Sequence, residues 1–183
     1  MFNIYIDADS LPKQHRAIIL KRIVKESTYI GECVFASDRI LNDVRDARDA
    51  HTASLRLPYR EKIDKDELRK IKSNIQMVVV PTGTNSADDY LFENSKTPGF
   101  AITHDVPLSD RLVQKGLLVL DDRGNIFTSE NIKERLSDRN FMTSLRELGF
   151  ESEKNKAFDQ RTINEFAQAF DSILNKYKRE YCS

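Results

Sequence analysis

Cysteine, glycine and proline are scarce in this chain, charge of one sign does not dominate, and no long apolar run is present. Two cysteines in 183 residues, Cys33 in an apolar segment and Cys182 in the tail, have neither CxxC nor finger spacing. That excludes a zinc finger of familiar type and makes a reduced, cytoplasmic chain the simpler expectation. With 6 glycines and 5 prolines there is no low-complexity segment and no internal repeat. The 29 basic and 29 acidic side chains cancel, which argues against a strongly basic nucleic-acid coat while leaving room for a local basic patch. No apolar stretch approaches the roughly 20 residues of a membrane helix. The opening MFNIYIDADS has no basic leader before an apolar stretch, so no signal peptide is expected.

What is present is an alternation of short β-rich runs with helical segments. Strands are predicted at Phe2 to Ile6, Tyr29 to Phe35, Gln76 to Val80, Phe100 to Thr103 and Leu117 to Leu120, with 125–128 returning as a hairpin partner after the Asp122-Arg123-Gly124-Asn125 turn. The Gln76–Val80 run, stopped by Pro81, reads as the most clearly buried of these. Helices are predicted from Pro12 to about Lys25, over the charged stretch 60–73, from Ser86 to Phe92, from Pro107 to Lys115, from Thr128 or Ser129 to about Leu136, over 139–148, and over 162–178. Between 37 and 59 the charges suggest a short exposed helix followed by a weak strand at Ala53 to Leu57. Gly149 to Arg161 reads as a loop. In the last helix Ile163, Phe166, Phe170, Ile173 and Leu174 recur at helical spacing, a stripe expected to pack into the core. The alternation implies βαβ crossovers, a mainly parallel sheet and one α/β domain, with 1–128 as its core and 129–183 as a helical part packed on it.

In such sheets ligands collect beyond the carboxyl ends of the strands, and there the chain repeatedly places acids. The first strand ends in Asp7-Ala8-Asp9, the third leads to Asp88-Asp89, the fourth to Asp105 with Asp110 a turn into the next helix, and the fifth to Asp121-Asp122. Each acid has a structural explanation: Asp9 and Asp105 precede helices they could cap, Ser86-x-x-Asp89 has the form of a capping box, and Asp121 and Asp122 sit in a turn. Capping does not explain why they converge. Gathered carboxylates resist ionisation unless a cation compensates, and hard oxygen donors suit Mg²⁺ or Mn²⁺. The expected set is Asp7, Asp88 or Asp89, and Asp105. Thr103, two residues before Asp105, is placed to reach a ligand with its hydroxyl, and Lys13, Arg16, Lys21 and Arg22 form a basic side of the first helix that reads as solvated charge near the site. The histidines His15, His51 and His104 are too scattered for a metal motif, and strand alternation turns His104 away from its neighbour. Thr82-Gly83-Thr84 lacks the Lys-Ser or Lys-Thr of a phosphate-binding loop.

The segments IDADSLP, NSADDYLFE, AITHDVPLSDRLVQKG, RGNIFTSENIKERLSDRNFMTSLRELG and FDQRTINEFAQAFDSIL together resemble the YaiI/YqxD family of uncharacterised bacterial proteins, over nearly the whole chain except about 37–73. The resemblance implies a PIN-like three-layer α/β/α sandwich, and with it the acids of PIN-type nucleases: Asp7 after the first strand, Asp88 or Asp89 on a mid-chain helix, and Asp105 in Thr103-His104-Asp105, with Asp110 as a fourth. Where the family usually has an acid before Ala-Ala-Asp-Asp this chain has Asn85-Ser86-Ala87-Asp88-Asp89, making Asn85 a neutral oxygen donor or a loop residue. Leu11 replaces the usual cysteine after the first acidic motif.

Three functions follow. The first is a Mg²⁺- or Mn²⁺-dependent nuclease acting on RNA, in which Asp7, Asp88 and Asp105 hold the metal, Asp9, Asp89 and Asp110 are outer ligands or orient the water, and Thr103, Ser86, Asn85, Lys13 and Arg16 are candidate substrate contacts. The second is a degenerate PIN-like binding or regulatory module. The third is a haloacid-dehalogenase-like phosphatase, because Asp7-Ala8-Asp9 follows a first strand, although the downstream lysine of that arrangement is not evident. A homodimer is expected by analogy with PIN-like proteins.

Overall fold

A computed structural model describes residues 1–81, 86–148 and 159–182. Among them the elements follow in the order β1 (Phe2–Asp7), α1 (Lys13–Lys25), β2 (Ile30–Ser37), α2 (Asn42–Arg56), a 3₁₀ turn (Leu57–Tyr59), α3 (Lys65–Lys70), β3 (Ile75–Val79), α4 (Ala87–Asn94), β4 (Gly99–Ile102), α5 (Val106–Gln114), β5 (Leu118–Leu120), β6 (Ile126–Phe127), α6 (Ile132–Glu147) and α7 (Gln160–Tyr181). The strands form one sheet in the order β3-β2-β1-β4-β5-β6. All pairings are parallel except the β5–β6 hairpin. Helices cover both faces, giving an α/β three-layer sandwich.

The period-2 alternation of β1 divides the core. Phe2, Ile4 and Ile6 face the layer containing Ile19 and Ile23 of α1 and Phe166, Phe170, Ile173, Leu174 and Tyr177 of α7. Tyr5 faces the other layer, with Leu91 of α4 and Leu108, Leu112 and Val113 of α5. Asp7 shares the parity of Tyr5, so the same alternation that buries Tyr5 places the carboxylate on the α4–α5 side. The apolar stripe of α7 is core, as its spacing predicts, and extends to Tyr177, whose ring lies 5.3 Å from that of Phe2 and whose hydroxyl donates to Gly99 O at 2.9 Å. Each such buried side chain contributes about 1.5–3 kcal/mol, enough to hold the C-terminal helix on the sheet. A fork from Arg22 to both oxygens of Asp171, at 2.7 and 2.6 Å, joins α1 to α7.

Four sequence expectations are corrected. The Gln76–Val80 run is not the most buried strand: β3 is a sheet edge, with Val79 42% exposed. The weak strand at Ala53 to Leu57 is instead the end of the 15-residue helix α2, through Arg56, and the start of the 3₁₀ turn at Leu57. The charged helix over 60–73 shrinks to Lys65–Lys70, capped by Asp64, which accepts from Asp66 N and Glu67 N. The two helices expected at 129–136 and 139–148 are one, α6, which starts at Ile132 and not at a Thr128 or Ser129 cap. Thr82, Gly83, Thr84, Asn85 and most of the predicted loop at 149–161 lie outside the described residues.

Candidate functional site

From β1 the chain adds β2 and β3 on one side and then crosses to begin β4 on the other. The carboxyl ends of β1 and β4 therefore flank the point where strand order reverses, the place where open parallel sheets form a crevice. Asp7 ends β1, and Thr103-His104-Asp105 follows β4.

Thr103 joins the two strand ends. Its buried hydroxyl donates to Asp7 Oδ2 at 2.7 Å and accepts from Asp105 N at 3.0 Å. The Thr103 hydroxyl is thus engaged by Asp7. Asp7 Oδ1 lies 3.4 Å from the Ser10 N–H, which donates to it. Asp7 is 5% exposed, and burial pushes its carboxyl above the ordinary range, partly offset by hydrogen bonds from Thr103 and Ser10. Ser10 ties the loop after β1 to β4, donating from its hydroxyl to Asp7 O and accepting from His104 N.

Asp88 lies in the first turn of α4, whose N-cap Ser86 accepts from Asp89 N at 3.2 Å. Its carboxyl is pushed up to about 6, first by burial, then by the negative charges of Asp7 and Asp105, with Arg111 pulling the other way. Acids from three separate elements thus share one electrostatic neighbourhood. Asp89 pairs with Arg111 at 2.9 Å, whereas Asp88 feels the charges of Asp7 and Asp105. Asp105 caps α5 through Leu108 N at 2.7 Å, as its place before Pro107 predicts.

The remaining candidates are occupied otherwise. Asp9 accepts from Ser37 Oγ at 2.7 Å and Asp38 N at 2.6 Å, closing the β1 and β2 loops together. That also engages the carboxylate a dehalogenase-like phosphatase would use as its acid. Asp110 accepts from Gln114 at 2.7 Å. Arg16 pins the loop after β1 through Leu11 O at 2.6 Å and pairs with Asp43 at 2.9 Å. Lys13 is exposed at the start of α1. Asn85 lies outside the described residues.

Two features escape a sequence reading. Asp122 accepts the Nδ1 of His104 at 2.8 Å and thereby raises the imidazole's pKa, while its backbone oxygen meets His15 Nε2 at 2.8 Å. Asp121 holds the turn, accepting from Arg123 N, Asn125 N and Asn125 Nδ2. The second feature is a cleft of about 480 Å³ beside Asp105, walled on one side by α6. Helical spacing of Arg135, Arg139, Met142 and Arg146 would have shown a shared face, but not what it faces.

Among the described residues no group of three or more His, Cys, Asp or Glu stands ready to hold a metal ion. The donor chemistry nonetheless fits a hard cation: burial raises the carboxyls of Asp7 and Asp88, and neighbouring negative charge adds to it, and Mg²⁺ needs only one or two carboxylates, completing its shell with water and substrate phosphate. No helix among the described residues is long and apolar enough to cross a membrane.

A family model described as "Uncharacterized BCR, YaiI/YqxD family" matches residues 62–176. A UPF0178 protein of Pseudomonas entomophila (strain L48) is 34% identical over 173 residues, 94% of this chain and 96% of the relative. One from Pseudomonas putida (strain GB-1) is 32% identical over 176 residues, covering 96% and 98%. A UPF0178 protein of Treponema denticola is 43% identical over 106 residues, 58% of this chain and 68% of the relative. No solved structure matches.

Proposed function

The chain belongs to the YaiI/YqxD family, and from that premise and its acidic crevice we propose that it is a divalent-metal-dependent nuclease acting on RNA. The observation that carries this reading is the coupling of Asp88 to Asp7 and Asp105, acids supplied by α4, β1 and the β4–α5 junction at the sheet's switch point. Mg²⁺ or Mn²⁺, when bound, supplies an activated water and neutralises charge on the phosphoryl oxygens. Asp7, Asp88 and Asp105 are the residues that would hold it.

The chain's own groups have definable tasks. Thr103 donates to Asp7 Oδ2 and so fixes the orientation of the carboxylate that would hold a cation. Asp105, fixed by Leu108 N, presents its second oxygen from a rigid helix start. Burial and the charges of Asp7 and Asp105 push the Asp88 carboxyl up to about 6, so a cation held there would favour its ionised, metal-binding form. Asp89, paired with Arg111, keeps that guanidinium beside α4.

A second reading, a binding module without catalysis, is favoured by one observation: no three acids are yet arranged for a metal among the described residues. Incubation of single-stranded RNA with Mn²⁺ separates the two. Wild type is expected to cleave, and Asp105→Asn, which keeps the shape of the α5 cap, to lose cleavage. An inactive wild type, or equal activity in both, contradicts the nuclease reading.

A further inference from the structure

Helix α6 buries little of its length. Of its 16 residues only Ile132 is fully enclosed, so packing alone does not account for its composition. Arg135, Arg139, Met142 and Arg146 fall at i, i+4, i+7 and i+11, one face of the helix. That face lines the 480 Å³ cleft, which is also lined by Ser10, His104 and Asp105. The volume is in the range of small-ligand sites, about 300–1,000 Å³.

Outside α6 the cleft lining carries Arg123 and His104 together with two engaged carboxylates, Asp105 held by Leu108 N and Asp121 by its own turn. On the α6 wall, neither the Arg135 nor the Arg139 guanidinium makes an ion pair among the described residues, whereas exposed arginines on other helices, such as Arg45, Arg48 and Arg69, are paired with nearby acids. Asp138 is the acid on that wall. Val106 and Met142 add apolar surface between the charges. Planar donor forks beside a modest apolar surface suit a phosphate attached to a sugar and base.

We propose that the α6 cleft binds one nucleotide of single-stranded RNA next to the scissile position, its phosphate on Arg135 and Arg139 and its sugar and base against Met142 and Val106. This rests on the nuclease reading for the identity of the polyanion, but the binding itself needs no metal. A strand crossing the crevice would meet carboxylates and cation at one phosphate and guanidinium at a neighbouring one, which lets a chain of zero net charge hold a polyanion.

The test is fluorescence anisotropy with a labelled single-stranded oligoribonucleotide of about 12 nucleotides in EDTA, over a range of salt. Wild type is expected to bind, and Arg135→Ala/Arg139→Ala to bind at least about tenfold more weakly, with the salt slope smaller by roughly 0.7 for each phosphate that is no longer neutralised. Arg69→Ala/Lys70→Ala is the charge-matched control. Both residues are on α3, which leads into the amino end of β3, at the opposite end of the sheet, and the control is expected to bind as wild type does. Arg135 and Arg139 are both exposed, so an unchanged urea midpoint verifies that the variant folds. Binding that is absent in wild type, or reduced no more by the α6 pair than by the control, overturns the inference. Binding that behaves as expected while Mn²⁺ yields no cleavage removes the nuclease reading and leaves the nucleotide site standing.

Discussion

Thr103 shows how one small side chain can organise a crevice. Its hydroxyl both donates to Asp7 and accepts from the Asp105 amide, so Thr103→Val strips a partner from a carboxylate that is 5% exposed. Loss of about 1–3 kcal/mol is expected in urea unfolding, with no change in far-UV circular dichroism. Asp88 gives a second residue-scale prediction. In the metal-free fold its carboxyl titrates near 6 instead of 3.8. The native state therefore holds a proton that the unfolded state has released, and stability falls as pH rises between those two values. Thermal midpoints in EDTA should decline across that window for wild type and decline less for Asp88→Asn; identical profiles would contradict the coupling. Asp7 and Thr103-x-Asp105 were legible in the sequence because strand ends and period-2 parity place them. Asp88 and Asp89 were not separable, since neighbouring residues at a helix start point in directions set by how the helix docks. That Asp122 would orient His104 was also hidden, because the hydrogen bond joins the residues after β4 to the turn after β5.

Elements were legible where their periodicity was strong. The α7 stripe needed only its spacing, and Phe170→Ala, removing a ring fully enclosed between α7 and Phe100, is expected to cost about 3–5 kcal/mol in chemical denaturation. Elements with weak periodicity were misjudged. The β3 run looks buried because apolar continuity does not distinguish a central strand from an edge partly covered by helices. α2 buries only Val44 and His51, too few to announce a 15-residue helix. α6 reads as two helices because so little of its surface is core. The turn between β5 and β6 has a requirement visible only in three dimensions: Gly124 has φ +90°, and a Cβ there would lie 2.9 Å from the Glu165 backbone of α7. Gly124→Ala should therefore destabilise by more than about 1 kcal/mol, measurable as a shifted urea midpoint, and should loosen the α7 start.

At the scale of the whole molecule, a chain with equal numbers of acids and bases still gathers acids at one end of its sheet. Parallel topology carries Asp7 and Asp105 to one end of the sheet, α4 adds Asp88 to their neighbourhood, and α6 lines the adjoining cleft with arginine. The fold class and the acidic end were readable from the order of strands and helices alone. The arginine wall was not, because nothing in a sequence states which side of a late helix will face an earlier strand end. Calorimetric titration of Mn²⁺ into the metal-free protein tests most directly whether those acids act as one site. Wild type should bind a cation and release protons near pH 6, where Asp88 titrates, and Asp7→Asn, Asp88→Asn and Asp105→Asn should each weaken binding by about tenfold or more. No binding heat in wild type, or affinities unchanged in all three variants, would contradict it.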